Sequence, residues 1–397
     1  MTLTPRGQDK VEALVAKGVD VPNPWTLDIG DDVDVDGISG DGVTIHPGCR
    51  IRGADTVISR GVELGREGPV TIEDCRLGPD VRLAGGYASK AVFLAGANLG
   101  LGHHVREGCL LEEQSGGAHT VGLKQTILFP YVTLGSLINF CDAFMAGGTS
   151  RSDHSEVGSS YIHFNFTPTG DKTTPSLFGD VPRGVTLREK PIFLGGQGGT
   201  VGPAQVGYGT VVGAGSVLRG DVPDHHLVVE SLPRSIRRPY EGGSYRSLVP
   251  MVRKNAAYLA QLDALDAWYA HARTPFFAEQ EHGPLVAEGA RAMIASARAE
   301  RASRLVKLAA KVPGADETQT RVTAAMDRLV DVFGRPVDAP DQEVLAPLTR
   351  AAAAGTDYLD AVHALDTTTV TAVQSWLSGI VDAAMSRATE VLPDLAG

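Results

Sequence analysis

The 397-residue chain contains no run of Lys or Arg, and its formal net charge is −11. Both features exclude the broad basic surface that nucleic acid or an anionic membrane requires, although a locally basic substrate channel remains compatible with them. The N-terminal stretch from Met1 to Lys10 lacks an apolar signal core, and no segment approaches the ~20 apolar residues of a membrane-spanning helix. The expectation is a cytoplasmic protein without a membrane or nucleic-acid partner. Cysteine is scarce as well: Cys49, Cys75, Cys109 and Cys141 stand alone with no CxxC pair, which excludes a zinc ribbon or a dithiol redox motif. Cys49 fills the small-residue place of the hexad Ile45 to Arg50, where a small buried hydrophobe fits.

What the chain does have is a six-residue period. From Leu194 to Asp221 five consecutive hexads run without a slip, with Leu194, Thr200, Val206, Val212 and Leu218 at the first place and Gly198, Ala204, Thr210 and Ser216 at the fifth. This is the hexapeptide pattern of a parallel β-helix. Looser hexads begin at Ile29, Ile45, Ile51 and Leu77, and a second clean run begins at Leu128. With three hexads to a coil, residues 29 to 222 predict roughly eight or nine coils stacked about 4.8 Å apart, a solenoid about 40 Å long. The period fails at residues 147 to 156 and 165 to 193, and loops that leave a rigid scaffold are where function concentrates.

The two ends are of another kind. Residues 8 to 18 read as an amphipathic helix closed by Gly18, placed to cap an otherwise open strand edge. Beyond about residue 240 the sequence turns rich in Ala, Leu, Arg, Asp and Glu, and helical spacing recurs through Tyr258, Leu262, Trp268, Ile294, Leu305, Val322 and Met326. A last helix over residues 367 to 391 is expected after Asp366. The predicted organisation is a capping helix (1–20), an all-β parallel β-helix with protruding loops (21–231) and a C-terminal α-helical bundle of four to six helices (240–397), packed against the β-helix or a neighbouring subunit.

The hexads from Leu194, the segment Tyr161-Ile-His-Phe-Asn165-Phe and a loop containing Lys172 resemble the acetyltransferase half of the bifunctional glucosamine-1-phosphate acetyltransferase / N-acetylglucosamine-1-phosphate uridylyltransferase, over roughly residues 120 to 222. The chain as a whole resembles a group of bacterial proteins named as UDP-N-acetylglucosamine pyrophosphorylase-like. The resemblance implies a left-handed parallel β-helix, a homotrimer, and acetyl-CoA or another acyl-CoA bound between subunits. It places Asn165 and Phe166 where the family has an Asn-Tyr pair, Lys172 at a basic loop position, and Lys124 at a substrate-phosphate lysine. The family's catalytic histidine does not carry over, because its position falls on Ser136 or Asp142. No N-terminal strand leads into a Gly-rich nucleotide loop, so a nucleotidyltransferase domain is not expected.

Acyl transfer from a thioester needs a base near neutral pKa and donors for the oxyanion. Histidine suits the first role. His154 is the first candidate, since it lies in the polar excursion with Asp153 and Glu156 as possible orienting carboxylates; its competing reading is a solvated loop histidine. His119, five residues before Lys124, is the second. His163 alternates with Ile162 and Phe164, so it points either into the core or into a cleft, and Tyr161 shares its segment. Asn139 and Asp142 sit at a corner where they reach an acceptor amine or hydroxyl, or else form a structural corner ladder. Lys172 and Arg183 are candidates for CoA phosphates. The reading is an acyltransferase acting on a sugar phosphate, nucleotide sugar or similar small polar metabolite, with no metal. Two alternatives stand beside it. One is a zinc-dependent carbonic-anhydrase-like β-helix using His119, His154 and His163, which lacks that family's His-x4-His pair; the other is a non-catalytic trimeric scaffold.

Overall fold

Each hexad closes a short strand on its first-place residue, and Leu194, Thr200, Val206, Val212 and Leu218 all point into the interior. The computed structural model describes residues 6–163, 173–230, 235–239, 245 and 248–396. Within them the chain winds as a parallel β-solenoid of about 11 turns, followed by helices spanning residues 248–391. The coil count exceeds the expected eight or nine for two reasons. Pairing starts at Asp20, bridged to Thr44, and ends at Leu227–Val228, beyond the last hexad. The coils also vary around 18 residues: Arg82 pairs with Asn98, and Asn98 in turn with Gly116.

Three faces result. The first carries Arg50–Arg52, Val70–Glu73, Gly86–Ser89, His103–Val105, Ser160–Ile162 and Gly198–Thr200. The second carries Arg76–Leu77, Ala91–Phe93, Cys109–Leu111 and Ser176–Phe178. Two eight-residue strands, Val121–Leu128 and Ile138–Met145, run from the first face onto the second and join both into one 16-stranded sheet. The bend in these strands falls at Gln125 and Asp142, with φ of 50° and 55°. The third face is a separate ten-stranded sheet.

Helix α1 (Gln8–Lys17) closes the N-terminal end. Gly18 at φ 111° terminates it, Val11 and Leu14 are buried, and Lys10 Nζ donates to the carbonyls of Gly30, Asp31 and Val33. The second face explains the helical domain. Its outward positions Val92, Leu110, Ile127, Phe144 and Leu177 stack rung on rung and are buried, just as the inward Phe93, Leu111, Leu128, Met145 and Phe178 are. A sheet apolar on both sides must be covered on both. The described helices are α2 (Val181–Gly184), inside the solenoid, then α3 (Leu248–Trp268), α4 (Thr274–Phe277), α5 (Gly283–Ala309), α6 (Glu317–Val330), α7 (Gln342–Ala353), α8 (Tyr358–His363) and α9 (Thr367–Val391). Five of the C-terminal helices are long, and Asp366 caps α9 by accepting from the Thr369 N–H. Helix α5 lies across the second face, where Gly289 allows close approach: a Cβ there would collide with Arg76 and crowd Val92.

The seam also holds a buried polar network. A π-helical turn, Tyr269–Arg273, points Arg273 at Glu112 and Glu113 of the solenoid, while its guanidinium lies 3.9 Å over the Tyr358 ring. Tyr269 donates to Glu112 Oε1 at 2.6 Å, and Trp268 Nε1–H donates to the Tyr358 hydroxyl at 3.0 Å. Among the described residues, no helix is long and apolar enough to cross a membrane.

Candidate functional site

The outer surface of the first face is left open. Parallel register stacks Gly122, Asn139 and Tyr161 on successive rungs, and one edge over stacks Lys124 on Cys141. His163 follows the rung Phe140–Ile162, which brings it to the Cys141 edge. The structure thus collects Lys124, Asn139, Tyr161 and His163 along one edge of the first face, with Asp142 at the adjoining corner. Asn165 and Lys172 lie outside the described residues.

Charge at this edge is mixed. Lys124 Nζ is 2.7 Å from Glu107 Oε1, and that contact holds the Glu107 carboxyl below its usual range. Arg106 sits one coil below Lys124, donates its N–H to the Leu123 carbonyl, and reaches the Cys141 thiol. The two cations therefore line one edge on adjacent coils. Asp142 accepts from Arg301 Nη2 of α5 at 2.7 Å, and the guanidinium is 2% exposed. Burial raises the Asp142 carboxyl, while Arg301, Arg304 and Lys124 oppose the shift. His163 is in the reverse condition: burial pushes it down to about 3, so its ring is neutral, and Nε2 meets Ser176 Oγ at 2.6 Å. Ser176 Oγ also accepts the Ala204 N–H. Tyr161 is 60% exposed on the open face.

The excursion at residues 147 to 156 lies elsewhere, at the edge between the second and third faces. His154 Nδ1 bonds the Arg151 carbonyl at 2.9 Å, and Asp153 accepts from Thr149 Oγ1 at 2.8 Å. The Asp153 carboxylate anchors its own loop and does not orient the His154 ring. Arg151 ties the loop to the carbonyls of Gln114 and Tyr131, and His363 of α8 bonds the Thr149 carbonyl at 2.9 Å. Within one chain, then, His154 is separated from Lys124 and Asn139 by the width of a solenoid face. His119 is exposed at the entry corner of the first face, with Nδ1 3.3 Å from Thr120 Oγ1. Five residues separate it from Lys124, a span of at most roughly 16 Å.

Arg183 lies in the short helix α2, bonded to Asp180 Oδ2 at 2.7 Å and to Asp224 Oδ2 at 2.6 Å, over the Tyr208 ring. Two carboxylates balance its charge at that point. It borders a cavity of about 540 Å³ that is also lined by Gln205, Asp221 and Gln261. No three His, Cys, Asp or Glu side chains gather into a possible metal site among the described residues of the chain.

Two contributors were missed in the sequence. Arg106 precedes Lys124 by one full coil of three hexads, so the period itself carried that signal. Arg301 carried none, because its place depends on how α5 docks.

No family model matches the chain. It is 28% identical to the bifunctional protein GlmU of Thermotoga petrophila over 219 residues, which cover 55% of this chain and 43% of that protein. It is 27% identical to the bifunctional protein GlmU of Rhodococcus opacus over 261 residues, or 66% of this chain and 45% of the relative. The chain therefore spans less than half the length of the curated relatives it matches, and the protein is a β-solenoid with sequence similarity to the bifunctional GlmU proteins.

Proposed function

We propose that the protein is an acyl-CoA-dependent acyltransferase that moves an acyl group, acetyl in the simplest case, onto an amine or hydroxyl of a sugar phosphate or related small metabolite. The observation that carries this reading is the ladder of Arg106 and Lys124 on adjacent coils, flanked by Asn139 and exposed Tyr161, inside a solenoid similar to GlmU. Two cations side by side suit a phosphate, and a neighbouring amide and phenol suit sugar hydroxyls. The unmatched remainder of GlmU contributes nothing to the reading.

The protein acts in this view as a cytoplasmic homotrimer. Support for self-association comes from the third face, whose outward row turns apolar at Phe193, Val211 and Leu227 on three successive rungs, all exposed. The test is release of free thiol from acetyl-CoA in the presence of glucosamine 1-phosphate and a panel of other sugar phosphates. Acceptor-dependent thiol release supports the reading; none across the panel, with no stabilisation of the fold by CoA, removes it.

A further inference from the structure

The solenoid corner that adjoins Lys124 and Asn139 carries the carboxylate of Asp142, and the partner of that carboxylate comes from the helical domain. We infer that Asp142 is the proton acceptor of the transfer, and that Arg301 of α5 is its positioning residue, so that the helical domain completes the acceptor site. The inference rests on the acyltransferase reading and deepens it.

The geometry supports it in three ways. Asp142 is in the left-handed region at φ 55°, a conformation that Asp tolerates better than most residues, and this turns its side chain out of the strand at the bend. Oδ1 accepts from Arg301, while Oδ2 accepts no hydrogen bond among the described residues. That leaves one oxygen fixed and the other available to an acceptor N–H or O–H. Third, Arg301 is almost wholly enclosed and its Nη2 meets both Asp142 at 2.7 Å and Glu300 at 3.9 Å, which fixes the guanidinium at the Asp142 corner.

The charged groups around Asp142 come from several elements. Arg301 and Arg304 face it from α5 together with Glu300, which is itself bound to Arg304 at 2.6 Å; Lys124 faces it from the coil below. Tyr258 of α3 lies in the same field, and burial raises its hydroxyl well above the usual range, so it stays protonated throughout the working pH. Burial of Asp142 disfavours its ionised form more than the surrounding cations favour it, which makes it more basic than an exposed aspartate.

The step balances as follows. The acceptor nitrogen or oxygen attacks the thioester carbonyl and forms the new C–N or C–O bond, and its proton passes to Asp142 Oδ2. The C–S bond then breaks with its electron pair on sulfur, and the proton moves on from Asp142 to the CoA thiolate. No oxidant, reductant or further reactant is needed.

The test uses the full-length protein, acetyl-CoA and glucosamine 1-phosphate, together with any better acceptor from the panel. Asp142→Asn keeps the shape and the Arg301 contact but cannot take the proton. The expected result is a fall in kcat of about 10²- to 10⁴-fold with KM changed less than about threefold. Arg301→Lys, which keeps the charge but not the planar fork, should lower kcat and move the acidic limb of the kcat profile, an effect that a purely structural role would not produce. If Asp142→Asn fails to fold, the displaced limb in Arg301→Lys decides alone. Wild-type turnover with an unchanged rate in a folded Asp142→Asn, or an unmoved limb in Arg301→Lys, overturns the inference and leaves the acyltransferase reading standing. Absence of wild-type turnover overturns both.

Discussion

Tyr269 donates its hydroxyl to Glu112 across the seam between the helical domain and the solenoid, at 2.6 Å, with both side chains buried. The same Glu112 is 3.4 Å from Arg273, whose other nitrogen serves Glu113. One cation thus answers two carboxylates in a region without water-exposed surface. Arg273→Met should cost about 3 to 5 kcal/mol, since it strands both carboxylates. Tyr269→Phe should cost about 1 to 3 kcal/mol by leaving one acceptor unpaired. Chemical denaturation followed by circular dichroism measures both.

The seam also makes stability depend on pH. Burial, opposed by Arg273, pushes the Glu112 carboxyl from 4.5 up to about 7. A folded-state pKa above the unfolded one means that the folded chain holds a proton the unfolded chain has released. Stability should therefore fall as pH rises from about 4.5 to about 7, then level off once both states are ionised. Glu112→Gln should flatten the melting temperature across that window. An equal slope in the variant would assign the dependence to another group.

How much of this was legible beforehand differs from one residue to the next. Inward residues such as Leu194 and Val206 recur every six positions because one interior must be filled on every coil, so the solenoid could be read directly. The outward Val92, Leu110, Ile127 and Phe144 were also visible, each adjacent to an inward apolar residue, and such doublets mark a face covered on both sides. The contact of Arg301 with Asp142 was not visible: it joins positions 159 residues apart through the docking of a helix, which no local spacing encodes. His154 is a different case: its polar neighbourhood suggested a reactive site, and in the structure Arg151, Asp153 and His363 use that polarity to fasten a loop.

The doublets lead to a direct contrast. Phe144 points out of the solenoid but is 2% exposed beneath the helical domain. Phe144→Ala should destabilise by about 3 to 5 kcal/mol, the cost of a large buried ring. Arg82→Ala, at an outward position of the third face, should stay within about 0.5 kcal/mol. Equal effects at the two sites, measured by urea denaturation, would contradict the covered second face.

Glu107 and Lys124 offer a test of the acceptor site that does not involve the chemical step. Glu107 occupies Lys124 at 2.7 Å, and both side chains are partly solvent-exposed. A phosphate-bearing acceptor must compete with that carboxylate for the ammonium. Glu107→Gln should therefore lower KM for sugar phosphates several-fold at low salt, and the advantage should shrink above ~0.15 M salt as screening grows. Lys124→Ala should raise KM at least tenfold, with a smaller effect on acceptors that lack phosphate.

The last expectation concerns the exposed ladder of Phe193, Val211 and Leu227. Three apolar side chains on consecutive rungs of a flat sheet form a surface that water solvates poorly and a like surface covers well. Val211 is the middle rung, and Val211→Lys puts a charge where an apolar contact would close. Sedimentation velocity should show a smaller particle than the wild type under the same conditions. Because Val211 is 40% exposed within the single chain, the circular dichroism spectrum of the variant should be unchanged. A wild-type particle of monomer size would instead show that this ladder is not used for self-association at the concentrations tested.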